Sequence, residues 1–387
     1  MARTRILHLI PALGAGGAER QLVDLVERID HAEFEPIVLM FGGSEHFRPR
    51  LAKAGIRVES LGITRTGIGA LPSLIGPIRK FIQSVGPDVV HTWLFEANVA
   101  ARFAMRGMRV PLVTSAVAPE YDRTAAKAAG WPATSVEARR QIELLSLRMS
   151  SPLFVADSAY VASCFRRDLQ ISGERMRLIH HSVSPSITQS SETRQQLRKR
   201  IGVPSDAKMI LHVGRLVGAK RQDFLIEILH GLGDSFLVLV GEGETEKSLQ
   251  ALARSLGIAE RVCFPGVQQN IGGFLAAADL FAFPSTVEGF PLAVLEAMMA
   301  GLPIVVSDAP PLDEMIDHGV TGWRVASHDR DAWIQTLRGA LDDPAKSLAV
   351  GAAARTMALE RFSTDVVVPR WETLYRQSCN EAKISYR

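Results

Sequence analysis

The sequence predicts an α/β protein built from two doubly wound parallel sheets. Three observations carry this reading. Short apolar runs alternate with helical patterns through the first half, as βα units do. The alternation stops at a polar stretch, Ser182 to Arg200 ("SVSPSITQSSETRQQLRKR"), which reads as a linker leading into a short charged helix, and then restarts. At 387 residues the chain is also longer than one core usually serves.

The first half offers strands at Ile6–Ile10, Pro36–Met40, Val58–Leu61, Val89–His91, Leu112–Ser115, Leu153–Ala156 and Met176–Ile179. Helices are expected over Ala18–Ile29, Ser44–Ala54, Leu71–Val85, Glu96–Met105, Glu137–Ser150 and Ser158–Asp168. In the second half, strands are expected at Met209–Val213, Phe236–Val240, Val262–Phe264, Leu280–Phe283, Ile304–Ser307 and Trp323–Val325. The expected division is a first domain over 1–182, a linker over 183–205, a second domain over 206–365 and a C-terminal helix over 366–387. No short-period repeat or low-complexity tract is present.

A net charge of +3 gives no reason to expect a nucleic-acid partner. The charge is uneven: Arg79–Arg177 holds fourteen Lys/Arg against nine Asp/Glu. Helical stretches near Arg102–Arg109 and Arg139–Arg148 could lean on an anionic membrane surface. Three separated cysteines, Cys164, Cys263 and Cys379, fit a reducing compartment and no structural zinc. The apolar run at the N-terminus is too short for a signal peptide, and no window is long enough for a transmembrane helix. The expected location is cytoplasmic, with membrane contact at most peripheral, on the inner face of the plasma membrane.

The stretch "PALGAGGAER" places glycines between the first strand and the first helix. A dinucleotide fingerprint needs glycine at its first, third and sixth positions. Gly14 and Gly16 meet the first two, but the sixth is Glu19, whose carboxylate would repel a pyrophosphate. The acidic residue expected about twenty positions on has only Glu33 or Glu35 as loose matches. A dehydrogenase is therefore disfavoured. What remains is a loop opening a helix whose N–H groups could take an anion or hydroxyls.

The second half is more specific. "ILHVGRLVGAK" puts Gly214 and Arg215 at the end of a strand, with Lys220 before the next helix. Two cations at the carboxyl edge of a parallel sheet suit a diphosphate. In "FPSTVEGFPLAVLEAMMAG", Glu288 lies in a loop and Glu296 about two turns along the helix that follows. Gly289 lets backbone approach a ligand, and Pro291 suits a helix start. The helix N-terminus adds partial positive charge.

"VEGFPLAVLEAMMAG" resembles the E-x7-E signature of glycosyltransferase family 4, a retaining, nucleotide-sugar-dependent family. "GRLVGAK" is similar to that family's diphosphate motif and "GAGGAER" to its N-terminal glycine loop. "DVVHTW" and "RFSTDVVVPRWETLY" also look like family segments, so the resemblance covers nearly the whole chain. It implies the GT-B fold, two Rossmann-like domains with the active site in the cleft between them, the first domain taking the acceptor and the second the nucleotide sugar. It implies that Arg215 and Lys220 neutralise the donor diphosphate, Glu296 holds ribose and Glu288 contacts the sugar. Gly214, the backbone of Gly289, Phe290, Pro291 and Leu292, and the Gly16–Gly17 turn would line the donor, while Gly266, Val267 and Gln268 flank the base. The C-terminal helix would cross back onto the first domain.

One departure stands out. The histidine that many members carry after the fifth strand is absent near Val117. His91 is the nearest candidate to replace it. The implied reaction is hexosyl transfer from a UDP- or GDP-sugar to a hydroxyl of a glycan or lipid-linked acceptor, in cell-surface polysaccharide or lipopolysaccharide synthesis. No cofactor or metal is expected. Asp329 and Asp331 read as a helix cap rather than a metal pair, and the adjacent His180 and His181 point apart. The alternatives are a sugar-nucleotide epimerase of the same fold and a catalytically weak partner subunit.

Overall fold

The computed structural model describes residues 3–128 and 130–385, which divide into two compact units. The first unit comprises the chain up to Ala126, Pro132–Ser182 and the chain from Thr364 on; the second comprises Lys127–Trp131 and Val183–Ser363.

The first unit holds β1 (Thr4–Ile10), β2 (Phe34–Met40), β3 (Arg57–Ser60), β4 (Val89–Trp93), β5 (Leu112–Ala116), β6 (Leu153–Ala156) and β7 (Met176–Leu178). They form one sheet in the order β3-β2-β1-β4-β5-β6-β7, parallel throughout. Its central strands are buried on both faces, which is why they read as continuous apolar runs. The strand order reverses between β1 and β4, so their carboxyl ends open a crevice between diverging helices.

The second unit repeats the plan with β8 (Met209–Val213), β9 (Phe236–Val240), β10 (Val262–Gly266), β11 (Leu280–Phe283), β12 (Ile304–Ser307) and β13 (Trp323–Val325). Its parallel order is β10-β9-β8-β11-β12-β13, with the reversal between β8 and β11. That reversal places the loops after β8 and β11 side by side.

Four stretches differ from expectation. The helix expected over Ser44–Ala54 is confined to Arg48–Lys53, because Leu13 N donates to Ser44 O and Leu13 O accepts from Phe47 N, tying residues 44–47 to the loop after β1. The helix expected over Glu137–Ser150 starts earlier, at Ala133, and ends at Ser146; the Arg123–Ala128 helix before it was not expected. The stretch 183–205 is not a free linker. The short charged helix expected at its end is present as Arg194–Ile201, opened by a reciprocal cap between Thr193 and Gln196. Arg198 on that helix is buried and donates to Ala277 O, Ala207 O and Asp279 Oδ2, fastening the segment to the second unit.

The chain leaves the second unit at Ser363, and the Thr364–Ser385 helix packs in the first, against the Gly17–Arg28 helix and β4. Within the second unit the Leu292–Met299 and Pro344–Phe362 helices touch at backbone distance. A Cβ at Gly351 would stand 2.1 Å from Gly301 O. Gly351→Ala is therefore expected to lower second-unit stability by about 1–3 kcal/mol through overpacking. Thermal unfolding checks this, and an unchanged transition would show that the helices separate freely.

Candidate active site

The second unit's switch point is built by three loops that continue the sheet's hydrogen bonding past its strand ends. Gly214 N donates to Val240 O, Leu216 N to Glu242 O and Gly241 N to Gly266 O. Gly241 has φ 138°, and a Cβ there would meet Gly214 O at 2.1 Å. Only glycine lets the β9 loop brace the Gly214–Arg215 turn this closely. From the other side, Ala219 O accepts from Thr286 N (3.1 Å) and Ser285 Oγ (3.1 Å), while Ser307 Oγ donates to Ser285 O.

These bonds bring together residues that sequence reading proposed from separate motifs. Lys220 Nζ donates to Glu288 Oε1, with side chains 17% and 10% exposed, and lies 5.1 Å from the Phe283 ring centroid. Arg215 is exposed on the same loop, and among the described residues its guanidinium has no ion-pair partner. Gly289 follows Glu288. Phe290 turns its ring into the core against Phe362, leaving only its backbone for a ligand. Pro291 is the N-cap of the Leu292–Met299 helix rather than its first residue. Glu296 is 6% exposed on that helix. Gly266 ends β10, and Val267 beside it is 42% exposed. The arrangement offers one free and one paired cation, a sheltered carboxylate and a helix N-terminus, which together suit an anion attached to a polyol.

In the first unit, Gly16 caps the Gly17–Arg28 helix. A Cβ at Gly16 would lie 2.3 Å from Glu19 Oε2, so the carboxylate folds over this turn. A phosphate placed on Gly16 and Gly17 would meet it first.

His91 is not at a strand end and is not accessible. It sits within β4, fully buried; one ring nitrogen is 2.8 Å from Tyr375 Oη and the other 2.8 Å from Ser115 Oγ. Trp93 and Trp371 lie against the ring, at 4.5 and 4.9 Å. Burial, with His8 beside it, holds its pKa well below the usual histidine value. The catalytic assignment of His91 is corrected: it fastens the Thr364–Ser385 helix to the sheet.

Two arginines of the basic stretches are likewise not solvent-facing charges. Arg102 is fully buried and pairs with Glu143, also fully buried. Arg139 lies 3.9 Å over the Phe95 ring and pairs with Glu96 (3.9 Å) and Glu120 (3.7 Å). Asp329 caps the Arg330–Asp342 helix, its Oδ1 accepting from Ala332 N at 3.0 Å. Among the described residues no helix is long and apolar enough to cross a membrane.

Sequence reading missed His212, Gln222, Ser285 and Ser307. The signal was present for His212, a polar residue inside an apolar strand. It also gave no role to Glu120, whose carboxyl is pushed up to about 7 by burial, against the pull of Arg139.

Two doubly wound parallel sheets, one carrying this cation and carboxylate constellation at its switch point, place the protein among GT-B glycosyltransferases. The description "Glycosyltransferase Family 4" matches residues 15–187, and "Glycosyl transferases group 1" matches residues 193–357. The chain is 30% identical to D-inositol 3-phosphate glycosyltransferase 1 of Catenulispora acidiphila, over 80% of this chain and 77% of that one. It is 29% identical to the D-inositol 3-phosphate glycosyltransferase of Streptomyces avermitilis, over 96% and 85%. Anabaena HepE, solved with UDP and glucose, has the same fold, with TM-score 0.83 at 24% identity over 96% of this chain and 99% of that one. The chain belongs to glycosyltransferase family 4 and is a glycosyltransferase.

Two predictions follow from the first unit's buried polar groups. His91→Phe should cost about 2–4 kcal/mol by stranding Tyr375 and Ser115, with kcat per folded molecule unchanged. Denaturant unfolding beside turnover checks this, and a collapse of kcat at full stability would restore a catalytic His91. Glu120 binds its proton more tightly folded, with a pKa of about 7 against 4.5. Its contribution is thus complete below pH 4.5 and lost as pH rises through 7, by ~3 kcal/mol at most. Glu120→Gln should lack that loss, and identical pH profiles of unfolding would contradict the assignment.

Proposed function

We propose that this glycosyltransferase moves a hexosyl group from a UDP- or GDP-sugar to a hydroxyl of a glycan or lipid-linked acceptor, with retained configuration and without a metal ion. The observation that carries the reading is the convergence of Arg215, Lys220 and Glu288 at the β8/β11 switch point. The barrier to such a transfer lies in breaking the bond between the anomeric carbon and the diphosphate oxygen while positive charge grows on the sugar. Arg215 holds two phosphate oxygens and Lys220 acts as a point charge, with the N-terminus of the Leu292–Met299 helix adding partial charge. Fixed cations do the work a metal would otherwise do on the leaving group.

Lys220 meets Glu288 before donor binds. An arriving diphosphate competes for that cation, and the carboxylate it releases faces the sugar hydroxyls. The acceptor oxygen then attacks the anomeric carbon from the face the diphosphate leaves, and its proton passes to the departing phosphate oxygen. Glu296 holds the ribose, and the backbone of Gly289–Leu292 lines the sugar and phosphate. The proposed setting is cell-surface glycan synthesis, the kind of process in which the fold neighbour WaaG, a glycosyltransferase involved in lipopolysaccharide biosynthesis, takes part. Of the basic residues that suggested peripheral contact, Arg106 and Arg148 are exposed.

The test is a calorimetric screen of UDP-, GDP-, ADP- and dTDP-sugars with chelator present, followed by product analysis on the donor that binds. One donor should bind, and Lys220→Met should slow turnover roughly a hundredfold, ~3 kcal/mol of lost leaving-group stabilisation. Binding that needs a divalent ion would overturn the metal-free reading. Conversion of the donor to its epimer without transfer would overturn the transferase assignment to this site.

A further inference from the structure

β8 reads Met-Ile-Leu-His-Val, and the imidazole at 212 is fully buried. The Phe283 ring stacks on it, with centroids 5.3 Å apart and planes at 16°. A phenyl ring would fill this space with no polar atom to desolvate, so both nitrogens need a reason to be there. Nδ1 is 3.0 Å from Ala282 O on β11. A carbonyl can only accept, so Nδ1 carries the hydrogen. Nε2 then offers a lone pair, and it lies 3.2 Å from Gln222 Nε2, which donates to it. The same amide donates to Arg215 O at 2.8 Å.

Gln222 is itself buried, and it is the first residue of the Gln222–Leu229 helix, two positions after Lys220. Burial, with the Lys220 cation nearby, lowers the imidazole pKa to about 4, so the ring stays neutral and both bonds persist at neutral pH. The four groups form one line: Ala282 O, His212, Gln222 and Arg215 O. Ala282 belongs to the strand that feeds the Glu288 loop, and Arg215 to the loop that ends in Lys220. A Cβ on Gly214 would stand 3.4 Å from His212 Nε2, so the ring also bounds the turn from below.

We propose that His212 and Gln222 are positioning residues for donor binding: they fix the Arg215–Lys220 loop against β11 so that its cations meet the diphosphate together. Neither touches the ligand, and each acts through the Arg215 backbone. The inference rests on the proposed function above, since it takes a nucleoside diphosphate as the ligand of that loop.

The experiment titrates UDP, GDP, ADP and dTDP into the full chain and carries the tightest of the four through His212→Phe, His212→Gln, His212→Asn and Gln222→Met. His212→Phe keeps the stacking on Phe283 and removes both bonds. Gln222→Met keeps volume and removes the link to Arg215, and it carries the test if His212→Phe folds poorly. Each should weaken binding roughly tenfold, the value of one lost buried hydrogen bond. Combining them should cost no more than either alone, because they break the same line. His212→Gln, which can present an acceptor near the Nε2 position, should recover most of the affinity, and His212→Asn should not. A core-packing role alone would lower thermal stability in all four variants without this ordering. Binding by the wild type with unchanged affinity in His212→Phe and Gln222→Met overturns this inference and leaves the proposed function standing. No binding of any of the four by the wild type overturns both.

Discussion

Lys220 and Glu288 are 68 residues apart in the chain and meet as an ion pair because β8 and β11 are sheet neighbours. Much of the second unit's design serves that meeting. The strand order reverses at this point, so the two loops leave the sheet side by side with a crevice between them. Bonds from Thr286 and Ser285 to Ala219 O fix one loop on the other, and Ser307 supports Ser285 from β12. Both side chains are largely shielded from water, so each charge depends on the other. Under the proposed function, a diphosphate arriving at Lys220 would replace Glu288 with an anionic partner of higher charge. Lys220 would then keep an anionic partner in both states, and the released Glu288 carboxylate would accept from the sugar hydroxyls instead.

The two units use buried polar groups differently. In the first, His91, Tyr375 and Ser115 tie a helix from the end of the chain to the central strands. Arg102 and Glu143 form a fully buried pair between two helices. These groups hold elements of that unit together. In the second, the line through His212 and Gln222 ends on the backbone of a cation-bearing loop. The same chemistry, a neutral imidazole using both nitrogens, gives support in one place and site geometry in the other.

Most of the fold was legible, because parallel strands buried on both faces read as apolar runs and their helices follow a regular period. The motif residues Arg215, Lys220, Glu288 and Glu296 were legible too, because they sit at fixed offsets from a strand end and a helix start. What the sequence hid is non-local. His91 looked like a loop histidine until a helix 284 residues away supplied Tyr375 to cover it. Arg102 and Arg139 looked like a basic face because Glu143 and Glu120 reach them from other elements. The stretch 183–205 looked like a linker because its polar surface conceals Arg198, which turns inward to collect carbonyls. Pairing of this kind follows from strand order and helix packing, which one-dimensional spacing does not encode.

The measurement that tests the central claim most directly is a crystal structure with a nucleoside diphosphate bound. The diphosphate should lie at the carboxyl edge of β8, contacted by Arg215 and Lys220, with Glu288 released from Lys220 and turned towards the sugar position. A diphosphate bound elsewhere, with Lys220 still held by Glu288, would contradict that claim.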